Sequence, residues 1–198
     1  MTSFFDSGLR RGLRAAHHYD RFSRGLGNLV GWLALVMVLV GAYNAIVRYL
    51  DKFHSWTLSS NAYIEMQWYL FSIVFLFGAS YTLLRDRHVR VDVLYGRLSQ
   101  VWRDRIDLVG TFVLMLPFTA YALWVSVPSV RNSWAVRETS PDPGGLARYP
   151  IKAALLVSFA LLALQGLSEA LKIAARMRGL EGPSMATESA ASGAGETS

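Results

Sequence analysis

Charged residues divide the chain into four long stretches that are almost free of charge, and this spacing is the clearest pattern in the sequence. Three stretches contain no Asp, Glu, Lys or Arg, at residues 25–47, 66–84 and 108–130. The fourth, 151–172, carries charge only near its ends, at Lys152, Glu169 and Lys172. Because an α-helix needs about 20 apolar residues to cross a bilayer, the pattern predicts an all-α integral membrane protein. Its four transmembrane helices are expected at about residues 26–48, 62–84, 107–130 and 151–172.

Two of these spans contain residues that are costly in a membrane. Pro117 lies inside the third span, where it removes a backbone hydrogen bond, and a helix bundle tolerates such a residue as a kink. In the fourth span we expect the side chains of Lys152, Glu169 and Lys172 to reach a membrane surface or to form ion pairs.

The distribution of Lys and Arg predicts the orientation in the membrane. If both termini are cytoplasmic, the cytoplasmic segments carry 14 of these residues and the outer loops carry 6. Positively charged loops tend to stay on the cytoplasmic side. We therefore expect an N-in/C-in topology.

Composition divides the chain into three regions. Residues 1–24 form a basic segment that we place in the cytoplasm, and residues 25–178 form the four-helix membrane domain. Residues 179–198 are rich in Ser, Ala, Gly and Glu and show no hydrophobic pattern. This composition predicts a disordered cytoplasmic tail.

The segment between the second and third spans has the pattern of a short amphipathic helix. Asp92 is suited to cap a helix that begins at Val93. Apolar residues follow along one face, at Leu94, Leu98, Val101 and Trp102. We predict an interfacial helix with Trp102 among the lipid headgroups, and a helix packed on the cytoplasmic end of the bundle would show the same pattern.

Glu65 is an acidic residue in the first turns of the second span. A carboxylate at membrane depth is a functional candidate, either as an ion-pair partner or as a carrier of protons or ions. With the second span entering from outside, Glu65 lies near the level at which Arg48 leaves the first span. We expect an interhelical pair between Glu65 and Arg48 in preference to a transport carboxylate.

Small residues follow one stripe of the first span. Gly41, Asn44, Ala45 and Arg48 lie close to one line along the helix, and Gly27 and Gly31 are four residues apart. Because small residues let membrane helices approach closely, this stripe is expected to face another helix, in this chain or in a partner.

Several classes of function are not indicated. The four histidines lie outside the spans, so paired axial ligands for a membrane haem are missing, and no phosphate loop, metal-ligand cluster or nucleophile motif occurs. The net charge of +6 comes from basic residues that flank the spans, which suits anionic membrane lipids better than nucleic acid. The sequence therefore predicts no enzyme and no cofactor.

The outer loop, residues 131–150, is long for a four-helix protein. It carries Trp134 and Arg137 and the turn-forming run from Pro141 to Gly145. Proline restricts the backbone, so a defined shape that contacts another protein is one interpretation. A solvated connector is the other.

Motifs in these positions resemble a known family of membrane proteins. They are Glu65-Met66-Gln67-Trp68-Tyr69-Leu70-Phe71, Phe77-Gly78-Ala79, His88-Val89-Arg90-Val91-Asp92, Glu138-Thr139-Ser140-Pro141-Asp142 and Tyr149-Pro150. Their order on four spans is similar to the small membrane subunit of tripartite ATP-independent periplasmic (TRAP) transporters, the DctQ-like family, over about residues 25–173.

The resemblance implies a small permease subunit in the bacterial inner membrane, as part of secondary active transport. Its partners would be a large membrane transport subunit, which it scaffolds, and a periplasmic solute-binding protein. Glu65 and Trp68 would stabilise the bundle or its contact with the large subunit. The cytoplasmic turn would be ordered by His88, Arg90 and Asp92.

Topology and charge, rather than a family motif, suggest where the solute-binding protein docks. The candidates are the outer residues Arg131, Trp134, Arg137 and Arg148.

A different class of function is also compatible with four spans. A small proton-coupled exporter would act as a homodimer with Glu65 as its coupling carboxylate. The shallow position of Glu65 and the long loops argue against this alternative.

Overall fold

The computed structural model describes residues 2–53, 60–85 and 98–179, and the side chains from Gly12 onward within them. These residues form four long helices, each long and apolar enough to cross a membrane. They are α1 (Thr2–Asp51), α2 (Asn61–Leu84), α3 (Gln100–Ala135) and α4 (Tyr149–Met177). The four predicted spans are confirmed as helices, while the N-in/C-in topology stays a prediction.

The helices alternate in direction. The start of α1 and the end of α4 lie at one end of the bundle, here named the terminal end, and the connection from α3 to α4 lies at the other, the loop end. In the contact of α1 with α2, Gly27 meets Tyr81 and Gly41 meets Gln67, so these two helices are antiparallel. Antiparallel packing of α3 on α4 follows from contacts such as that of Phe118 with Phe159.

Two glycines of the small-residue stripe allow α1 to approach α2 closely. A Cβ atom at Gly27 would lie 2.3 Å from the Tyr81 ring, and one at Gly41 would lie 2.7 Å from Gln67 Nε2. Both distances are shorter than real Cβ contacts, so a larger residue at either position would force Tyr81 or Gln67 to move. Gly31 has no such neighbour. Gly27 and Gly41 therefore face α2 of the same chain, whereas Ala45 and Arg48 of the stripe are exposed.

Helix α4 occupies the centre of the bundle. It packs against α1, α2 and α3, whereas α3 packs mainly on α4. Ser158, Gln165, Ala170 and Ile173 of α4 are buried. Large apolar side chains are exposed on the other helices, for example Trp32, Phe75 and Trp124, as expected for surfaces that contact lipid or a partner.

Helix α1 continues through the segment predicted as a separate N-terminal region. Its path is helical across residues 24 and 25 without interruption. Leu13, Ala16, Asp20 and Ser23 are buried, at spacings of three and four that keep one face of the helix on α4. The start of the chain therefore extends the bundle.

Pro117 changes the helix type within α3. Residues Thr111–Met115 form a π-helical turn, in which Leu116 N donates to Thr111 O five residues back. Proline lacks an N–H for the carbonyl of Val113 and its ring crowds that carbonyl, so the helix widens before it. The wider turn places Met115 against Gly166 of α4, where a Cβ atom would lie 2.8 Å from Met115 Cε.

The predicted interfacial helix corresponds only in part to what the structure describes. Leu98 forms a bend, and Ser99 is extended with φ −65° and ψ 154°. A helix begins at Gln100, so Val101 and Trp102 belong to its first turn and are continuous with the third span. Asp92, Val93 and Leu94 lie outside the described residues, as does the predicted tail from residue 180 onward.

Candidate interaction site

The connection from α3 to α4 folds back on itself at the loop end. An isolated antiparallel bridge pairs Thr139 with Ala147. Ser140 N donates to Leu146 O at 3.0 Å, and Arg148 N donates to Glu138 O at 2.8 Å. These bonds close residues 138–148 into a compact turn, named here the loop cap. The sequence-based expectation of a defined shape is confirmed.

Glu65 lies beneath the loop cap and binds it through both carboxylate oxygens. Oε1 accepts a hydrogen bond from Ser140 Oγ, and Oε2 accepts one from Leu146 N. The Glu65 side chain is only 2% exposed. One turn further along α2, Tyr69 donates from its hydroxyl to Ala147 O at 3.1 Å. The start of α2 thus holds the loop cap in place.

The expected pair of Glu65 with Arg48 is wrong. Both carboxylate oxygens bind the loop cap, and Arg48 is exposed at the end of α1. The physical reason is that backbone N–H and hydroxyl donors of the returning loop reach the carboxylate and shield it from solvent. Arg148, and not Arg48, is the arginine that acts on Glu65 electrostatically.

Glycines make the tight turn of the loop cap sterically feasible. Gly144 has φ of 72°, in the left-handed region that favours glycine. At Gly145 a Cβ atom would lie 2.4 Å from Ser140 Cβ and 2.8 Å from Glu65 Oε1. A larger residue at Gly145 would therefore push the loop away from the carboxylate.

An ion pair fixes the loop cap to α4. Lys152 Nζ donates to Glu138 Oε2, and this bond holds the pKa of Glu138 below its ordinary value. Lys152 was expected to pair or to reach a surface, and pairing is confirmed. The loop cap is thereby tied to both α2 and α4.

An exposed platform of aromatic and basic residues lies beside the loop cap. The rings of Trp134 and Tyr149 meet edge to face with centroids 4.8 Å apart. The Arg137 guanidinium lies 5.7 Å from the Tyr149 ring centroid. Arg131, one turn before Trp134 on α3, is exposed, and Trp134 is 44% exposed. We name Arg131, Trp134, Arg137 and Tyr149 the basic platform.

The structure brings the predicted docking residues to one end of the molecule but separates their environments. Arg131, Trp134 and Arg137 belong to the basic platform, whereas Arg148 is half-buried near Glu65 and Glu138. Arg148 therefore supports the loop cap and offers less surface to a partner.

The other residues that the resemblance singled out lie elsewhere. Trp68 is 60% exposed on α2, on the side that also carries the exposed Phe71 and Phe75. His88, Arg90 and Asp92 lie outside the described residues.

A buried polar cluster at the terminal end was not predicted from the sequence. Asp20 of α1 is 6% exposed and accepts from three side chains of α4. These donors are Gln165 Nε2 at 3.1 Å, Ser168 Oγ at 3.1 Å and Lys172 Nζ at 2.9 Å. Lys172 also binds Glu169 Oε1 at 2.6 Å, so the expected pairing of these two residues is confirmed. Asp20 thus anchors the start of α1 to α4.

A signal for this cluster exists in the sequence. The buried stripe of α1 continues from Gly27 back through Ser23, Asp20, Ala16 and Leu13 at helical spacing. The stripe continues across Arg24, the charged residue that was taken as the start of the first span. The positions of charged residues alone therefore do not reveal it. Periodicity of small and apolar residues would have extended the helix.

The ends of α3 and α4 are joined by a further pair of charges. Asp104 is 5% exposed, and its Oδ1 lies 3.6 Å from Arg176 Nη1. Gln100 Nε2 donates to the same oxygen at 3.0 Å. Each end of the bundle is therefore closed by a carboxylate that accepts from a neighbouring segment.

Comparison with known proteins agrees with this architecture. The family model described as tripartite ATP-independent periplasmic transporters, DctQ component, matches residues 22–176. No curated protein and no solved structure matches the chain. The matched residues include all four membrane-compatible helices apart from the start of α1, together with Glu65 and the loop cap. The chain therefore belongs to the DctQ family, the small membrane component of TRAP transporters.

Proposed function

We propose that this protein is a non-catalytic scaffold for the large transport subunit of a TRAP-type uptake system, and that its loop end helps to dock the periplasmic solute-binding protein. Both termini are cytoplasmic in this proposal, and the loop cap is periplasmic. The observation that carries it is the loop cap itself, a connection fixed by Glu65, Tyr69 and Lys152. A loop held from two helices presents a constant surface to a partner.

The placement of charge supports a scaffold. Among the described residues, the buried carboxylates lie at the ends of the bundle, with Glu65 at the loop end and Asp20 and Asp104 at the terminal end. Each contacts a donor group of a neighbouring segment, Leu146 N for Glu65, Lys172 Nζ for Asp20 and Arg176 Nη1 for Asp104. An ion or substrate pathway needs polar groups near mid-membrane. Such charge placement suits helices that hold their shape while a partner moves.

The exporter alternative requires Glu65 to exchange protons. Its carboxylate is instead a hydrogen-bond acceptor for Ser140 and Leu146 and is 2% exposed. Proton exchange would first have to open the loop cap. The geometry therefore favours a structural role for Glu65.

Co-purification tests the scaffold role. The tagged protein is expressed from its native operon and isolated in mild detergent, and the proteins that accompany it are identified. We expect a large polytopic membrane subunit at equal stoichiometry. Recovery of the chain alone, or as a homodimer that binds a transport substrate, would refute the scaffold role and support the exporter.

Charge changes on the basic platform test the docking role. A variant with Arg131→Glu and Arg137→Asn removes two exposed positive charges, and Asn suits the left-handed backbone at Arg137, where φ is 49°. We expect the binding-protein concentration for half-maximal uptake to rise about tenfold at low ionic strength, because rim charges steer association. The difference should shrink as salt screens the charges.

The control for this variant is Arg21→Glu, a change of an exposed arginine at the terminal end. Uptake by reconstituted complex is measured against binding-protein concentration for each variant. Equal responses of the two variants, or no response of either, would contradict docking at the basic platform.

A further inference from the structure

The outward face of α3 carries a line of exposed residues that runs across the membrane. Val113, Pro117, Tyr121, Trp124 and Pro128 follow one another at spacings of four and three residues, and each is exposed. Helical geometry places this line, here named the α3 outer stripe, opposite the buried residues of the same helix. It rises about 22 Å, which is most of the hydrocarbon thickness of about 30 Å.

Two side chains of the α3 outer stripe expose polar atoms inside the membrane span. Tyr121 is 63% exposed and Trp124 is 73% exposed, and their rings contact each other with centroids 6.1 Å apart. Neither the Tyr121 hydroxyl nor the Trp124 indole N–H has a hydrogen-bond partner among the residues that the structure describes. Tyr121 lies two residues from the midpoint of the charge-free stretch 108–130. Lipid tails at this depth would offer its hydroxyl no partner.

The two prolines of the α3 outer stripe weaken the backbone hydrogen bonding on the same side of the helix. A residue in an α-helix donates its N–H to the carbonyl four residues earlier, and proline has no N–H. Pro128 therefore leaves the carbonyl of Trp124 without its usual donor. Pro117 removes a second donor, one turn before Tyr121. Because hydrocarbon cannot donate to a carbonyl, this face favours a neighbour that forms hydrogen bonds.

The exposed faces of α1 and α2 suit lipid better. Phe71 and Phe75 of α2 stack with ring centroids 6.4 Å apart and carry no polar side-chain atom. Between them, the Ser72 hydroxyl donates to Trp68 O of its own helix at 2.8 Å. On α1, the exposed Trp32 is followed over the next two turns by aliphatic side chains. Neither helix contains a proline, so the interior carbonyls keep their helical donors.

We propose that the α3 outer stripe is the surface on which the large transport subunit packs, through a membrane-spanning helix that carries hydroxyl or amide side chains. This inference rests on the scaffold role proposed above and names the face that performs it. Because α3 packs mainly on α4, a partner helix can lie along its outward side. Hydroxyl and amide groups can accept from the Tyr121 hydroxyl and the Trp124 indole, and they can donate to the carbonyls that the prolines leave free.

Photo-crosslinking tests which face the large subunit covers. A benzophenone amino acid replaces Tyr121 or Trp124 in one pair of variants, and Phe71 or Phe75 of α2 in the matched control pair. Each variant is expressed with the rest of its native operon and irradiated in membranes. We expect crosslinks to the large subunit from the two α3 positions and their loss at the two α2 positions.

The outcomes of this experiment separate the α3 outer stripe from the scaffold role. Crosslinks to the large subunit from α2 and not from α3 would overturn the stripe and keep the scaffold role. Crosslinks from α3 to a second copy of this chain would also overturn the stripe, as would crosslinks to lipid alone while the large subunit still co-purifies. If the unmodified protein recovers no large subunit, the scaffold role itself fails, and the stripe with it.

Removal of one hydroxyl tests the chemistry of the contact. Tyr121→Phe keeps the ring and removes the polar atom, and we expect recovery of the large subunit in detergent to fall about threefold, because an interhelical hydrogen bond is lost. The control is Tyr49→Phe, a change of an exposed tyrosine on α1, which should leave recovery unchanged. Equal or greater recovery with Tyr121→Phe would show that this hydroxyl faces lipid and would contradict the proposal.

Discussion

Replacing Glu65 with alanine is expected to release the loop cap and to abolish most transport by the assembled complex. The variant leaves Leu146 N and Ser140 Oγ without their acceptor, and a buried donor that loses its partner is costly. Among the described residues, Tyr69 and Lys152 would still hold the loop. We expect cleavage of the loop by an added protease to become roughly tenfold faster, because cleavage follows the population of the open form.

Glutamine at the same position separates the two roles considered for Glu65. The amide oxygen of Glu65→Gln can still accept from Leu146 N, and its NH₂ can donate to Ser140 Oγ. If Glu65 is a structural hydrogen-bond acceptor, Glu65→Gln should therefore keep much of the transport activity. If Glu65 is a proton-coupling carboxylate, the same variant should lose all coupled transport. Transport and protease sensitivity of the alanine and glutamine variants are compared side by side. Intact loop protection together with complete loss of coupling in Glu65→Gln would revive the exporter.

The membrane spans follow from the sequence because the bilayer imposes a strict rule on charge. A run of about 20 residues without charge is typical of a membrane-spanning helix, so the four stretches predict α1 to α4. The ends are predicted less well, and α1 begins at Thr2, well before its predicted span. The errors have one cause. Helices extend beyond the charge-free stretches, as at Thr2 and Met177, and nothing in the charge pattern marks where they stop.

Partners of single side chains were harder to predict. Glu65 and Ser140 are 75 residues apart, and the sequence analysis favoured Arg48 as the partner of Glu65. Opposite charge favoured the arginine, but the structure uses neutral donors from a returning loop. Pairing depends on how a loop closes in space, which the short-range pattern of the chain does not determine.

The resemblance to the DctQ family identified the motifs that contain Glu65 and Ser140, but it did not show that these two residues contact each other. Glu65 in one motif and Ser140 in another form a single contact, so two motifs describe one structural unit. Asp20 belongs to no quoted motif and lies in the basic segment, residues 1–24, which was predicted to be separate from the membrane domain. Its role became visible only when α4 placed Lys172 beside it.

Single changes of Asp20 and Lys172 should each destabilise the protein, and changing both together should recover part of the stability lost in Lys172→Met. Asp20→Ala removes the acceptor shared by Gln165, Ser168 and Lys172, and we expect a loss of about 3 kcal/mol in the free energy of unfolding. Lys172→Met should cost more, because it leaves the carboxylates of Asp20 and Glu169 close together without their cation.

Adding Asp20→Ala to Lys172→Met should then restore part of the lost stability, since it removes one of the two unpaired charges. Unfolding in a detergent titration measures all three variants. The control is the exposed pair of Glu138 and Lys152, whose side chains are 30% and 37% exposed and for which neutralisation of both partners should show weaker coupling. Additive losses at Asp20 and Lys172 would mean that the start of α1 is held by packing alone. Recovery in the double variant would show that a buried ion pair fixes the start of α1 to the central helix, which is the rigidity that a scaffold needs.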